Sequence, residues 1–355
     1  MKKYKSAIVG TGRIAGYLED DKLRDHPCTH AGTYQSIKNV ELVSVVGRTI
    51  NKAKKFAKRF NIPTWYETID KMLKDNSVDI LSICTPARLH VPFIIKAAES
   101  GKVKAVYCEK ALALSLDEAD KAVEICSKKN VLLIVNYLRR WSCDYICTKE
   151  LIQTDAIGEV QTVYGTFSGN IMHTGTHMFD ILIYLFGMPL SVEASIEKFD
   201  SKRSKNSGYK FVKDEYFDDP SARAHLMFPN GVDAFINGSK KDYFIFEIEI
   251  IGSKGRIRIG NFVKELWQSS VAKHYTDFSE LERKKFPVCI DAENAWFKAV
   301  QNIILKLKGR AGLGTTGRDA CKAMEVGFGM LISSYHSGSR ITFPIQVRDI
   351  KINSK

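Results

Sequence analysis

The sequence has no apolar run approaching the ~20 residues needed to span a bilayer. Its longest apolar stretches end in Gly, Pro or charge, so no membrane segment is expected. The start, Met1-Lys2-Lys3-Tyr4-Lys5, is charged and is followed by no long apolar segment with a cleavage site, so a secretory signal is not expected. No Cys-x-x-Cys pair occurs. The eight cysteines, Cys28, Cys84, Cys108, Cys126, Cys143, Cys147, Cys289 and Cys321, are scattered, which favours reduced thiols in a cytoplasmic protein over a disulfide framework. Cys143 and Cys147 have helical i,i+4 spacing, but no His or Cys cluster stands beside them, so no metal site is expected there. Internal repeats and low-complexity segments are absent. The net charge of +13 raises nucleic acid as a partner. The basic residues are spread along the chain, however, and no nucleic-acid motif accompanies them, so none is expected. The densest basic tract, Lys198 to Lys213 with Lys202, Arg203, Lys205 and Lys210 between, is either a solvated loop or a rim that attracts an anionic substrate such as a phosphorylated or nucleotide-linked sugar.

At 355 residues and 45% hydrophobic, the chain suits two soluble domains sharing one cleft. Residues 1–136 alternate strand and helix patterns. Apolar strands are expected at 4–9, Val40–Val46, Asp79–Cys84, Val103–Cys108 and Val131–Asn136. Helices are expected at Asn51–Phe60, at His90–Ser100 ending on Gly101, and from the capping box Ser115-Leu116-Asp117-Glu118 to Lys129. Short continuous apolar strands between helices indicate a doubly wound parallel sheet. Ligands of such sheets bind beyond the carboxyl ends of the strands, which here carry Gly10, Gly47, Thr85-Pro86, Glu109-Lys110 and Asn136. From 137 to 355 the pattern changes. A helix over Trp141–Gln153, a strand over Val160–Ser168 and a helix over His173–Phe186 precede a succession of strands at Ser191–Phe199, Ala222–Phe228, Val232–Asn237, Phe244–Ile251 and Arg256–Ile259. With late helices near Ala292–Leu307 and Arg318–Tyr335, this predicts an α+β domain built on a largely antiparallel sheet.

Gly10-Thr11-Gly12-Arg13-Ile14-Ala15 fits G-x-G-x-x-G/A directly after a strand. In that motif the first Gly makes the tight turn, the second admits a pyrophosphate, and the small third residue packs helix on strand. The segment Glu19–Thr29 then delays the next strand; its polarity and Pro27 suggest a loop over the cleft mouth or a plain surface insertion. At the end of the second strand, Val46-Gly47-Arg48-Thr49 lacks the acid that would bond the ribose 2′-hydroxyl of NAD. Arg48 can stack on adenine and pair with a 2′-phosphate, Thr49 can donate a hydrogen bond, and Lys52 is near enough to help, which favours NADP over NAD.

Glu109-Lys110 is either a surface ion pair or a reactive pair whose Lys stabilises alkoxide character on a bound alcohol or ketone. His173, His177 and Asp180 stand at i, i+4 and i+7, and on a helix they share one face. They read as hydrogen-bonded helix residues, as a proton-transfer site, or as a metal site; for the last, the Glu of His-Glu-x-x-His is missing.

Together these segments resemble the glucose–fructose oxidoreductase/inositol dehydrogenase/MocA oxidoreductase family. The likeness covers nearly the whole chain. It runs from Gly10-x-Gly12-Arg13-Ile14 through Thr85-Pro86 with His90, Gly101-Lys102, Glu109-Lys110, Asn136 with Arg139-Arg140-Trp141, and Gly175-x-His177-x-x-Asp180. It ends with Gly317-Arg318-Asp319-Ala320-x-Lys322-Ala323-Met324-Glu325 and Arg340-Ile341-Thr342-Phe343-Pro344. The resemblance implies an N-terminal Rossmann domain, a C-terminal α+β domain with a large, mostly antiparallel open sheet, a nicotinamide cofactor and a sugar, nucleotide-sugar or polyol substrate. It implies Lys110 and His177 as catalytic, with His173, Asp180, Tyr137 and Arg139 binding or supporting the substrate. Gly10, Thr11, Gly12, Arg13, Ile14, Gly47, Arg48, Thr49, Thr85, Pro86, His90, Glu109 and Asn136 would serve the cofactor. It also implies a homodimer or homotetramer assembled through the open sheet face. Two departures stand out: Ala111 replaces the usual Pro after Glu-Lys, and His173 stands where many members have Asp, which makes the site more positive. The competing expectations are a non-catalytic NADP-binding regulator or scaffold, and a hydrolase using either a metal or tightly held NAD.

Overall fold

The computed structural model describes residues 3–196, 216–288, 294–310, 312 and 314–353. The basic tract Lys198–Lys213 and Cys289 lie outside the described residues. The chain divides into two compact units. Among the described residues the first takes those up to Trp141 and those from 294 to Cys321, and the second takes those from Ser142 to 288 and Lys322–Asn353.

In the first unit, β1 (Tyr4–Val9), β2 (Val40–Val46), β3 (Thr64–Tyr66), β4 (Val78–Ile83), β5 (Val103–Cys108) and β6 (Leu132–Val135) form one sheet in the order β3-β2-β1-β4-β5-β6. Every pairing is parallel. β4 is buried at all its positions, as expected of a strand covered on both faces. The helices are α1 (His30–Ser36), α2 (Ile50–Arg59), α3 (Ile69–Asp75), α4 (His90–Glu99) and α5 (Leu116–Lys128). Their starts are encoded locally. Thr49, Thr68 and Ser115 accept from the backbone N–H of Lys52, Lys71 and Glu118, satisfying amides that have no partner within the helix. The expected capping box at Ser115 is offset by one residue, since Glu118 Oε2 accepts from Leu114 N.

The segment after the Gly-rich turn does more than delay a strand; it splits a helix. One turn forms over residues 13–16, with Gly16 N donating to Gly12 O. The chain then leaves through a 3-10 turn at Tyr17–Asp20 and returns at Thr29. There His30 N bonds Ile14 O at 3.3 Å and Ala31 N bonds Ala15 O at 2.9 Å. α1 therefore continues the hydrogen bonding of the first turn, with the intervening residues looped out. Thr29 caps the resumed helix by accepting from Gly32 N.

The strand and helix alternation places one domain boundary at 136/137, with the late helices in the second domain. α8 (Ala295–Leu307) instead belongs to the first unit. Its Trp296, Ala299, Val300, Ile303 and Ile304 are buried in one core with Tyr34, Phe56 and Tyr107. Burying those five apolar side chains is the physical reason for the return.

The second unit begins with α6 (Cys143–Gln153), β7 (Val160–Ser168), α7 (Thr176–Phe186) and β8 (Ser191–Ile196). β9 (Tyr216–Asp218), β10 (Ala222–Met227), β11 (Asp233–Ser239), β12 (Phe246–Gly252), β13 (Gly255–Gly260), β14 (Lys264–Val271) and β15 (Ser279–Lys284) follow. α9 (Gly317–Tyr335), β16 (Ile341–Thr342) and β17 (Lys351–Asn353) close the chain. Nine strands pair in the order β15-β14-β13-β12-β7-β11-β10-β8-β16. β7–β11 is parallel and the other pairs are antiparallel. β17 and β9 pair separately. α7 and α9 cover one face: Met178 approaches Gly165, and Ser333 Oγ accepts from Ala194 N at 2.8 Å. The alternating burial of β11 and β12 fits a sheet covered on that face alone. Among the described residues no helix is long and apolar enough to cross a membrane.

Candidate active site

The Gly-rich turn meets two separate demands. Gly10 has φ +112°, and a Cβ there would lie 2.3 Å from Cys84 O; only glycine fits. Gly12 is different, because a Cβ there would have nothing within 4 Å. Protein packing does not ask for that glycine, whereas close approach of a diphosphate does. Thr11 and Ile14 are half-buried beside it and Arg13 is exposed. At the end of β4, Thr85 Oγ1 is buried with no hydrogen-bond partner among the described residues, a hydroxyl that a ligand oxygen would satisfy; Pro86 beside it is exposed. These features fit a bound dinucleotide.

At the end of β2, a Cβ on Gly47 would lie 2.8 Å from Ala53 N, so glycine lets α2 pack close to the strand end. Arg48 is exposed. Thr49 Oγ1 is occupied as an acceptor in capping α2 and keeps its proton to donate. Glu67 Oε1 accepts from Ile50 N at 3.4 Å, which puts a carboxylate two residues from Arg48. Sequence reading missed Glu67 because β3, which positions it, carries no clear strand pattern.

Glu109 stands at the end of β5 and is the convergence point of a buried polar network. His30 Nε2 donates to Glu109 Oε1 at 3.0 Å, and Asn136 Nδ2 donates to the same oxygen at 2.7 Å. Ser82 Oγ lies 2.8 Å from His30 Nδ1 and 2.6 Å from Tyr34 OH. Tyr107 OH donates to Asn136 Oδ1 at 2.6 Å. Tyr34 to Ser82 to His30 to Glu109 is a consistent chain of donors with a neutral imidazole. Tyr107 to Asn136 to Glu109 is a second chain ending on the same carboxylate. Burial opposes ionisation of Glu109, yet the bonds from His30 and Asn136 and the charge of Lys110 hold its carboxyl below the usual range. Lys110 follows, half-buried, and its peptide to Ala111 is cis. Asn136, expected at the cofactor, has both ends of its amide engaged in bracing Glu109. His30, Ser82, Tyr34 and Tyr107 were not singled out in the sequence, because each sits inside an apolar or helical pattern.

His90 is also a brace. Its ring is buried, with Nδ1 2.8 Å from Ala111 O and Nε2 2.7 Å from Thr85 O. Both nitrogens face the protein's own carbonyls, which ties the segments after β4 and β5 together. Burial lowers its pKa, and the contacts with the Thr85 and Ala111 carbonyls oppose that shift. Tyr137 is fully buried and Arg139 half-buried. Arg140 is buried, donating to Gly314 O at 2.8 Å and lying 3.4 Å from Asp319.

In the second unit the three expected residues do not share one regular helix. Ile171–Gly175 is a π-helical turn, and α7 starts only at Thr176. The wider π turn breaks the i,i+4 geometry: His173 is exposed, His177 half-buried and Asp180 fully buried. His177 and Asp180 keep the i,i+3 relation on α7. Asp219 Oδ1 and Oδ2 accept from Met172 N at 2.8 Å and His173 N at 3.1 Å. This carboxylate stands beside the position where many family members carry their own Asp, and sequence reading missed it in the Asp218-Asp219-Pro220 run.

Comparison with known proteins agrees with both halves. Residues 4–137 match the model described as oxidoreductase family, NAD-binding Rossmann fold. Residues 149–342 match that described as oxidoreductase family, C-terminal alpha/beta domain. The chain is 28% identical to scyllo-inositol 2-dehydrogenase (NAD(+)) of Bacillus subtilis over 72% of this chain and 73% of that protein. It is 25% identical to D-glucoside 3-dehydrogenase of Escherichia coli, over 63% and 67%. The solved structure of the WlbA dehydrogenase from Bordetella pertussis, in complex with NADH and UDP-GlcNAcA, superimposes with a TM-score of 0.73 at 20% identity, covering 97% of this chain and 100% of that one. At that identity the likeness speaks for the fold.

Proposed function

The chain belongs to the glucose–fructose oxidoreductase/inositol dehydrogenase/MocA oxidoreductase family, and from that premise we propose that it is an NAD(P)-dependent dehydrogenase or reductase acting on a CH–OH group of a sugar, nucleotide sugar, polyol or cyclitol. The observation that carries this reading is the Glu109–Lys110 pair at the end of a Rossmann strand, with the Glu109 carboxylate fixed by His30 and Asn136. Bound nicotinamide supplies the hydride acceptor or donor; the chain's own residues supply the rest. Lys110 brings an ammonium to the reacting oxygen and favours its alkoxide character. Glu109, held ionised, keeps a counter-charge beside Lys110 and limits where it points. His177 exchanges the hydroxyl proton, a task suited to imidazole near neutral pH, and Asp180 supports it on α7. Tyr137 and Arg139 support the substrate.

NADP is the proposed cofactor, with NAD as the alternative. The support is the exposed Arg48, the remaining donor of Thr49, and the lack of an acid directly after β2; Glu67 nearby pulls the other way. His173 favours an anionic substrate, and the Asp219 carboxylate on its backbone offsets part of that bias. A cytoplasmic homodimer or homotetramer completes the proposal.

Lys110→Met tests the reading. Turnover with the best substrate of a sugar, cyclitol and nucleotide-sugar panel is expected to fall about 100-fold or more, with NADPH affinity by fluorescence titration unchanged. Undiminished turnover overturns the assignment of Lys110.

A further inference from the structure

The looped-out segment between Gly16 and Thr29 contains a cluster that the oxidoreductase reading does not use. Its two ends come together. Glu19, where the chain leaves, meets His26 and Cys28, where it returns, and one ligand atom from each lies within 4.8 Å of the other two. Glu19 Oε2 is 2.7 Å from His26 Nδ1, and Cys28 Sγ is 3.8 Å from the same nitrogen. Around a tetrahedral zinc, with Zn–N of about 2.0 Å and Zn–S of about 2.3 Å, such donors stand roughly 3.3–3.6 Å apart. The sulfur–nitrogen separation is thus close to that value, and the oxygen–nitrogen pair opens by about half an ångström.

The carboxylate is prepared for such a role. Its other oxygen, Oε1, accepts from Cys28 N at 2.9 Å and from Thr29 Oγ1 at 2.7 Å. Those two bonds leave Oε2 directed at the cluster, as outer hydrogen bonds orient metal-ligating carboxylates. Gly32 makes the approach possible, since a Cβ there would lie 2.1 Å from Glu19 Oε1. The His26 side chain is 40% exposed and its Nδ1 faces Glu19, so Nε2 can keep its proton while Nδ1 ligates. Glu19 and His26 line an open cavity of about 420 Å³ with Pro27, Gln35, Arg59 and Phe60, which leaves room for a solvent ligand in the fourth position. Arg59, which lines the cavity, is paired with Asp20.

We propose that Glu19, His26 and Cys28 form a divalent metal site selective for zinc, with the fourth position taken by solvent. Thiolate, imidazole and carboxylate together suit zinc over magnesium or calcium. On binding, the thiol gives its proton to solvent, and its hydrogen bond to Leu18 O is exchanged for the metal–sulfur bond. Thiolate and carboxylate then neutralise the dication. The metal ties the exit and return of the loop, and so fixes the point where α1 resumes.

The test uses the full chain, freed of metal by chelator and titrated separately with Zn²⁺ and Co²⁺. One equivalent of zinc is expected to bind, and cobalt is expected to give a sulfur-to-cobalt charge-transfer band in the near ultraviolet. Cys28→Ser should abolish that band, and His26→Gln on the exposed ring should weaken zinc binding about tenfold or more. Both variants should keep the wild-type circular dichroism and NADPH affinity. No tight equivalent in the wild type, or a charge-transfer band that survives in Cys28→Ser, overturns the site.

Discussion

At the scale of single residues, Glu109 shows how a buried charge is kept. Two donor chains end on it, and the bond from His30 is the one whose loss can be separated from packing. The His30 ring lies 4.7 Å from the Tyr107 ring and 5.2 Å from that of Trp296, so Phe at position 30 preserves most ring contacts while removing the donor. His30→Phe is expected to cost about 1–3 kcal/mol at neutral pH, the range for leaving a buried polar group short of a partner. The pH dependence has a definite sign. A carboxyl held below its usual range stabilises the folded state above that range, and the contribution is lost as pH falls through the native value. The penalty of His30→Phe should therefore be largest at neutral pH and shrink on acidification, as urea unfolding across the acidic range would show. A penalty independent of pH would mean that His30 acts by packing alone. Arg48 offers a second residue-scale test. If its guanidinium meets a 2′-phosphate, Arg48→Ala should raise the NADPH Kd about 10- to 100-fold, as befits a hydrogen bond to a charged group of about 1.5–3 kcal/mol. NADH binding should change little; equal losses for both cofactors would assign Arg48 to adenine stacking.

At the scale of elements, the strands buried on both faces were legible because their apolar runs are short and continuous, and β2 and β5 fall where the sequence places them, as does the one-faced β7. β14 and β15 were not, because most of their side chains face water and β15 reads Ser-Glu-Leu-Glu-Arg-Lys; without a core face, period-two alternation disappears. α1 was hidden because its hydrogen bonding starts at Ile14 and resumes only at His30, a continuity in space that no sequence window contains. The candidate site divides the same way. Gly10, Gly12 and Glu109-Lys110 announce themselves, whereas His30 and Asp219 acquire meaning only through distant partners, and the π turn before α7 re-aims His173 with no sequence signature. The resumption of α1 depends on Thr29, which caps the helix through Gly32 N and also donates to Glu19. Thr29→Ala removes both interactions and should destabilise the first unit by about 1–2 kcal/mol. Urea denaturation checks this, and a change within error would show that the splice holds without its cap.

At the scale of the whole molecule, the large sheet presents a row of side chains on the face opposite α7 and α9. Register places His225 opposite Phe235, Phe235 opposite Tyr164, Tyr164 opposite Glu249, and Glu249 opposite Arg258. Phe235 is 43% and Tyr164 46% exposed. The two rings stack at 5.7 Å, and His225 stacks on Phe235 at 4.8 Å. An aromatic centre flanked by charged side chains is the composition of a protein interface, apolar within and polar at the rim. It also suits a twofold assembly, in which a row running across the sheet meets its own copy and the aromatic centres coincide. Replacing Phe235 by Asp would set two carboxylates into that centre, a change costly at an interface and cheap on a solvated surface. Light scattering is expected to report a dimer or tetramer for the wild type and a smaller species for Phe235→Asp, with the thermal transition of the isolated fold preserved. If Phe235→Asp keeps the wild-type mass, the open sheet face is not where the copies meet.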